Sequence, residues 1–322
     1  MAPMNENKII ARIAKAFPDS RSQAVDLPLG DDAALWRART GRQVVLTCDW
    51  FLEGSHFLRD KHPADAVGWK CLARAVSDIA AMGGQPRCFL LSIALPFELT
   101  GKWFDGFLHG LKRASLALRC ELAGGDTTRR GTVLINVSVV GEVRRGRALR
   151  RSGAGVGDAL FVSGRLGEAD AGLEELKHRK DVVGATNATL RKHLYPEPRV
   201  ALGQWLADQR LATAAMDLSD GLSSDLPRLC AASKVGARVD ADSLPLVRGR
   251  NPAHALRLAL HGGDDYELLF TVSKSDVERV PRIYRGLKLT RIGEITSGKR
   301  VAVRKGGATR TLTAGGWDPF RK

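Results

Sequence analysis

Hydrophobic and polar positions alternate between two periods along this 322-residue chain. Ile9, Ile10, Ile13, Ala14 and Phe17 recur at helical spacing and predict an opening helix over 5–17. A longer stripe through Ala66, Val67, Trp69, Ala73, Val76 and Ala80 predicts a helix over 64–82, stopped by Met82-Gly83-Gly84. Helical spacing also covers 100–119, 168–178, 198–208, 222–230, 252–260 and 275–285. β-rich runs occupy 44–49, 87–95, 132–143, 159–163, 211–216, 237–239, 266–272, 287–295 and 300–304. The polar run 184–195 reads as a loop, and 121–128 as a glycine-aspartate turn. Helices and strands mix in both halves. This predicts an α/β (α+β) chain of two domains, 1–150 and 151–322, each a mixed sheet with helices on one side. No short-period repeat is present.

Charge changes this picture little. The chain holds 50 basic and 35 acidic residues, a formal +15. The excess divides almost evenly between the halves, which describes a basic surface better than a nucleic-acid patch. The one dense basic run, Arg144 to Arg151, has no interleaved aromatics for stacking bases. No apolar run reaches the ~20 residues of a membrane-spanning helix, and Met1 to Lys8 lacks the apolar core of a secretory signal. The five cysteines are widely spaced, with no Cys-x-x-Cys pair. Zinc and disulfide frameworks are therefore disfavoured, and a cytoplasmic chain is expected.

Aspartate is what draws attention. Asp217-Leu218-Ser219-Asp220-Gly221-Leu222-Ser223-Ser224-Asp225 places three aspartates between an apolar run and a helical pattern. Alone it reads equally as turn and cap chemistry or as a cation site. Asp31 and Asp32, Asp49, Asp126, and Asp264 with Asp265 repeat the device, and Asp78 lies on a predicted helix. A short carboxylate beside glycine can hold a cation while a phosphate approaches the backbone. Oxygen donors without paired His or Cys favour Mg²⁺ over zinc. The GxxxxGK[ST] phosphate loop is absent, and Gly153-x-Gly155-x-Gly157 lacks the dinucleotide spacing. Nucleotide binding would then run mainly through metal.

Eight motifs occur in order: Gly30-Asp31-Asp32-Ala33-Ala34; Thr47-Cys48-Asp49 with Glu53-Gly54-Ser55-His56-Phe57; Ser77-Asp78 to Gln85-Pro86; Gly124-Gly125-Asp126-Thr127-Thr128; Arg151-Ser152-Gly153-Ala154; Asp217 to Leu226; Gly263-Asp264-Asp265-Tyr266-Glu267-Leu268; and Gly316-Trp317-Asp318-Pro319-Phe320. Over essentially the whole chain this set resembles the thiamine-monophosphate kinase family, of the aminoimidazole-ribotide-synthetase-like ATP-binding superfamily. The resemblance implies a homodimer with several Mg²⁺ ions and ATP as co-substrate. It implies metal ligation by Asp32, Thr47, Cys48, Asp49, Asp78, Asp126, Asp217 and Asp220. It implies ATP contacts from Gly125, Asp126, Arg151 and Ser219, and thiamine monophosphate contacts from His56, Asp264 and Trp317. The N-terminal domain would carry the dimer interface and much of the nucleotide site, with the C-terminal domain closing over it. Two residues depart from the family pattern. Asp264 stands where Glu is usual. Cys48 replaces a Thr or small residue and could ligate magnesium only through its carbonyl.

The implied reaction transfers a phosphoryl group from ATP to a phosphate acceptor. The second pKa of a phosphate monoester is about 6, so the acceptor needs no general base. No catalytic side chain and no phosphoenzyme are expected, only positioning and charge neutralisation. The alternatives are another superfamily enzyme, such as aminoimidazole ribotide synthetase or selenophosphate synthetase, or a non-catalytic nucleotide-binding protein. Selenophosphate synthesis calls for a reactive Cys near the N-terminus, and the first cysteine here is Cys48.

Overall fold

A computed structural model describes residues 6–17, 25–27, 35–180 and 184–320. In chain order the elements of the first half are α1 (Glu6–Ala16), β1 (Val25–Leu27), β2 (Leu35–Trp36), β3 (Arg42–Leu52), α2 (Ala64–Ala81), β4 (Gln85–Leu95), α3 (Lys102–Leu118), β5 (Glu121–Arg129) and β6 (Leu134–Arg144). The second half continues with β7 (Ala159–Ser163), α4 (Glu168–His178), α5 (Ala188–Leu194), α6 (Val200–Gln209), β8 (Ala212–Asp217), α7 (Leu222–Ser233), β9 (Gly236–Asp240), α8 (Pro252–His261), β10 (Leu268–Val272), β11 (Ile283–Tyr284), β12 (Leu287–Thr296), β13 (Val301–Lys305) and β14 (Ala308–Thr311). The chain divides into two compact units. One holds residues 1–79, 84–145 and 176–186; the other holds 80–83, 146–175 and 187–322.

The first unit is built on a four-stranded sheet of order β3-β6-β4-β5, in which only β4 and β5 run parallel. Val45, Thr47, Asp49 and Phe51 alternate along β3 with Val44, Leu46, Cys48 and Trp50, so the two sets face opposite ways. The first set shares its face with the fully buried Ile135, Val137 and Val139 of β6. Ile79 of α2 packs on that face beside Gly141. Helices α2 and α3 cross at two glycines, since a Cβ on Gly68 or Gly110 would stand 2.0 or 1.8 Å from a carbonyl oxygen of the other helix. Their buried Leu72, Val76, Phe104, Phe107 and Leu111 each contribute roughly 1.5–3 kcal/mol of apolar burial. The opposite face is open and apolar: Leu46 is 73% exposed, Trp50 56% and Leu90 44%.

Residues 121–128 are not the expected turn. They form most of β5, in parallel register with β4 from Cys88 to Leu95. Pairing with a buried neighbour strand overrides the turn preference of Gly-Gly-Asp. Glycine is needed at 125 for another reason, because a Cβ there would lie 1.9 Å from the Leu91 carbonyl oxygen.

The second unit carries a sheet of order β14-β13-β9-β12-β7-β10-β8, with β11 paired to β12. Its faces are both covered, where one-sided cover was expected. Leu160 and Val162 of β7 join Leu222, Leu226 and Leu229 of α7 in one core. Ala159 and Phe161 join Leu202 and Leu206 of α6 in a second. Two further expectations fail. The polar run 184–195 contains α5, started by Asn187, whose side chain accepts from the Leu190 N–H at 2.9 Å. Residues 275–285 do not form a helix. A short 3₁₀ turn over Lys274–Arg279 gives way to β11, because Pro281 disfavours helical backbone at the preceding residue.

Candidate active site

The second unit brings three chain segments together at the C-terminal end of β8. Asp217 is the last residue of that strand and is buried. The following loop pairs with residues 264–267: Leu218 N–H donates to Glu267 O, Tyr266 N–H to Leu218 O, and Asp264 N–H to Ser219 O, at 2.8–2.9 Å. The C-terminal segment joins through Trp317 N–H to Asp220 O at 2.9 Å. Gly316 permits that approach, since a Cβ there would meet the same oxygen at 2.0 Å. Asp217, Ser219, Asp220, Asp264 and Trp317 are therefore gathered in one place, although nearly a hundred residues separate the first from the last.

Asp225 holds this loop from beneath. It is fully buried, accepts from the Asp220 N–H at 3.0 Å and from Arg228 at 2.8 Å, and Arg228 also reaches the Asp220 carboxylate. Burial, helped by the Asp220 charge, pushes the Asp225 carboxyl up to about 7. Its place in the first turn of α7 fits a helix-start carboxylate, but its hydrogen bonds serve the loop.

The segment after Gly263 is unusually constrained. Asp264 and Tyr266 both have left-handed backbone (φ 65° and 49°), a conformation non-glycine residues adopt at a cost of order 1–3 kcal/mol. Buried hydrogen bonds hold it there. Asp265 accepts from Gly167 N–H (2.6 Å) and Ala169 N–H (3.1 Å) at the start of α4, and its burial pushes it up to about 7. Glu267 meets Lys192 at 2.5 Å, Arg199 at 2.5 and 2.8 Å, and Ser163 at 2.5 Å. Burial alone would raise the Glu267 pKa, but the two cations outweigh it and hold the group at about 2. Tyr266 is 2% exposed and donates its hydroxyl to Asp264 Oδ1 at 2.7 Å.

Arg151 follows Arg150, whose carbonyl accepts from the Ala215 N–H of β8 at 2.8 Å, two residues before Asp217. Arg151 is exposed, and its carbonyl accepts from Ser233 Oγ at the far end of α7.

In the first unit, Thr47 donates its hydroxyl to Asp78 on α2 at 2.5 Å, and Asp49 follows Thr47 on the same face of β3. The Cys48 side chain faces the other way and lies 3.1–3.3 Å from the Asn136 amide. Gly125 and Asp126 lie on β5, with Asp126 opposite Ser92. His56 closes the turn after β3. Its Nδ1 accepts from the Leu52 N–H at 3.0 Å, which puts the ring proton of the neutral form on Nε2. Asp32 lies outside the described residues.

Among the described residues, no three His, Cys, Asp or Glu side chains converge into a cation site. The candidate ligands divide between the units instead: Thr47, Cys48, Asp49, Asp78 and Asp126 in one, Asp217 and Asp220 in the other. Their chemistry suits magnesium. Every side-chain donor is oxygen except the sulfur of Cys48, which is turned towards Asn136.

Asp265, Tyr266 and Glu267 belong to the acidic turn and motif seen in the sequence, which assigns them no separate roles; Lys192 and Arg199 carry no sequence signal of their part in this network. Asn187 followed by Leu190 and Leu194 was the available sign that Lys192 lies on a helix.

The two-unit organisation defines a class. Residues 30–143 match the model of the AIR synthase related protein N-terminal domain, and residues 155–306 that of its C-terminal domain. Thiamine-monophosphate kinase of Escherichia coli (strain K12) is 40% identical over 319 residues, covering 96% of this chain and 97% of that protein. The crystal structure of thiamine-monophosphate kinase from Stenotrophomonas maltophilia K279a has a TM-score of 0.81 at 37% identity, covering 93% of this chain and 96% of that one. A structure of AaThiL complexed with AMPPCP and TMP has a TM-score of 0.77 at 34% identity, covering 99% and 98%. The chain belongs to the thiamine-monophosphate kinase family.

Proposed function

We propose that this chain transfers the γ-phosphoryl group of ATP to thiamine monophosphate, giving thiamine diphosphate and ADP in thiamine diphosphate biosynthesis. One observation carries the reading. Likeness over 99% of the chain extends to a complex holding a nucleotide analogue and TMP. The gathering of Asp217, Ser219, Asp220, Asp264 and Trp317 supports it independently.

Magnesium would be held by Asp32, Asp49, Asp78, Asp126, Asp217 and Asp220, with Thr47 and the carbonyl of Cys48. When bound, it supplies positive charge against the phosphates of donor and acceptor. Gly125, Asp126, Arg151 and Ser219 would contact ATP. His56, Asp264 and Trp317 would contact thiamine monophosphate: Nε2–H of His56 can donate, the Asp264 carboxylate can accept, and the Trp317 indole offers a flat apolar face. No side chain needs to take a proton, since the acceptor phosphate is largely dianionic at neutral pH (second pKa about 6). The protein's task is to hold two anionic groups in line, and the hydrogen-bonded loop of Asp217 to Gly221 is built for rigidity.

The chain would act as a homodimer. The open face of Val44, Leu46, Trp50 and Leu90 supports this, because such an apolar sheet face calls for cover. Residues 1–150 would carry that interface and much of the nucleotide site, and 151–322 the rest. A cytoplasmic location fits five free cysteines and a described chain with no helix long and apolar enough to cross a membrane. The test is ADP release measured with and without thiamine monophosphate. Release that depends on thiamine monophosphate supports the reading; equal release without it contradicts it.

A further inference from the structure

We propose that Tyr266 is a positioning residue: its hydroxyl sets the orientation of the Asp264 carboxylate and thereby the affinity for thiamine monophosphate. The inference rests on the reading of Asp264 as a substrate contact. An aspartate side chain left to itself turns about two bonds and presents its oxygens in many directions. Here the phenol fixes it, donating to Oδ1 at 2.7 Å.

The phenol is itself immobile. Its ring is 2% exposed, and the backbone on either side is anchored by Asp265 on the start of α4 and by Glu267 between Lys192 and Arg199. The N–H groups of Asp264 and Tyr266 both donate to the loop that carries Asp217 and Asp220. A buried phenol also needs a partner for its hydroxyl, and Asp264 is that partner. The left-handed conformation of both residues brings side chains two positions apart within reach of each other. A carboxylate held in this way is an acceptor for an N–H donor. The amino group on the pyrimidine ring of thiamine monophosphate is a donor of that class.

The test is a double-mutant cycle of Tyr266→Phe and Asp264→Ala, read as separate KM values for thiamine monophosphate and ATP. Tyr266→Phe keeps the ring and its packing. It should raise the KM for thiamine monophosphate about tenfold, the worth of one hydrogen bond to a charged acceptor. The KM for ATP and kcat should stay within about twofold of wild type. In the Asp264→Ala background the same change should have almost no further effect. An unchanged thiamine monophosphate KM, an equal rise for ATP, or full additivity would each overturn the proposal. Calorimetric titration of Asp264→Asn with thiamine monophosphate keeps it testable should Tyr266→Phe fail to fold; unweakened binding overturns it. A wild-type protein that does not turn over thiamine monophosphate overturns the functional reading as well. Normal wild-type turnover with a silent Tyr266→Phe overturns this inference alone.

Discussion

Glu267→Gln removes the buried carboxylate that joins two half-buried cations, Lys192 and Arg199. The carboxylate is 1% exposed and meets Lys192 at 2.5 Å and Arg199 at 2.5 and 2.8 Å. Two estimates of the loss agree in size. Its pKa falls from the ordinary 4.5 to about 2 in the folded protein, which corresponds to about 3 kcal/mol. Removing one partner of a buried ion pair typically costs about 3–5 kcal/mol, because the remaining charge is stranded. A loss near 3 kcal/mol is large against a total stability of roughly 5–15 kcal/mol. The assay is urea unfolding at pH 7; guanidinium, being a salt, would screen the charges. The variant's midpoint should fall clearly, and its Tm by roughly 6–12 °C. The pH dependence has a definite sign. A depressed carboxylate pKa stabilises above the unfolded value and loses that effect as pH falls through the folded one. The gap between wild type and variant should therefore be full at pH 7 and narrow from about 4.5 towards 2. A variant within about 0.5 kcal/mol of wild type at pH 7 would refute the reasoning.

Asp265 should show the opposite slope. Its folded pKa is raised to about 7 against an ordinary 3.8, so its contribution turns unfavourable as pH rises between those values. Asp265→Asn should flatten the decline in stability across that window, measured by urea midpoints at several pH values. Asp225→Ala strands the Asp220 N–H and should cost about 1–3 kcal/mol of local order, read as at least a tenfold fall in kcat/KM. Asp225→Asn, which keeps an acceptor, should retain most of the activity. Gly316→Ala forces a Cβ to within 2.0 Å of the Asp220 oxygen and should raise the thiamine monophosphate KM several-fold. Gly131→Ala, with no atom within 4 Å, is the silent control in the same kinetic assay.

Much of this architecture is legible in residue spacing. The alternation of Val133, Ile135, Val137 and Val139 belongs to a sheet with one covered face, and that face is where α2 packs. The uninterrupted Ala159-Leu160-Phe161-Val162-Ser163 signals a strand covered on both faces, which one-sided packing could not satisfy. Gly124-Gly125-Asp126 misleads because local turn preference loses to parallel pairing with β4, a contact more than thirty residues away in sequence. The aspartates of the acidic loop stand out by type and spacing. In the sequence Asp265 and Glu267 stand beside Asp264 and Tyr266 with nothing to mark their different roles. Only the folded chain separates the carboxylate that caps a helix from the one that holds two cations, and both from the pair at the site. The grouping of residues 80–83 with the second unit rests on long-range contacts with no local signal.

Phosphorus NMR of the protein with ATP, Mg²⁺ and thiamine monophosphate decides whether the γ-phosphoryl group passes to thiamine monophosphate. The γ-phosphorus signal of ATP should decline as two mutually coupled diphosphate signals of thiamine diphosphate grow, one product per ADP formed. Inorganic phosphate accumulating beside an unchanged thiamine monophosphate singlet would contradict this transfer.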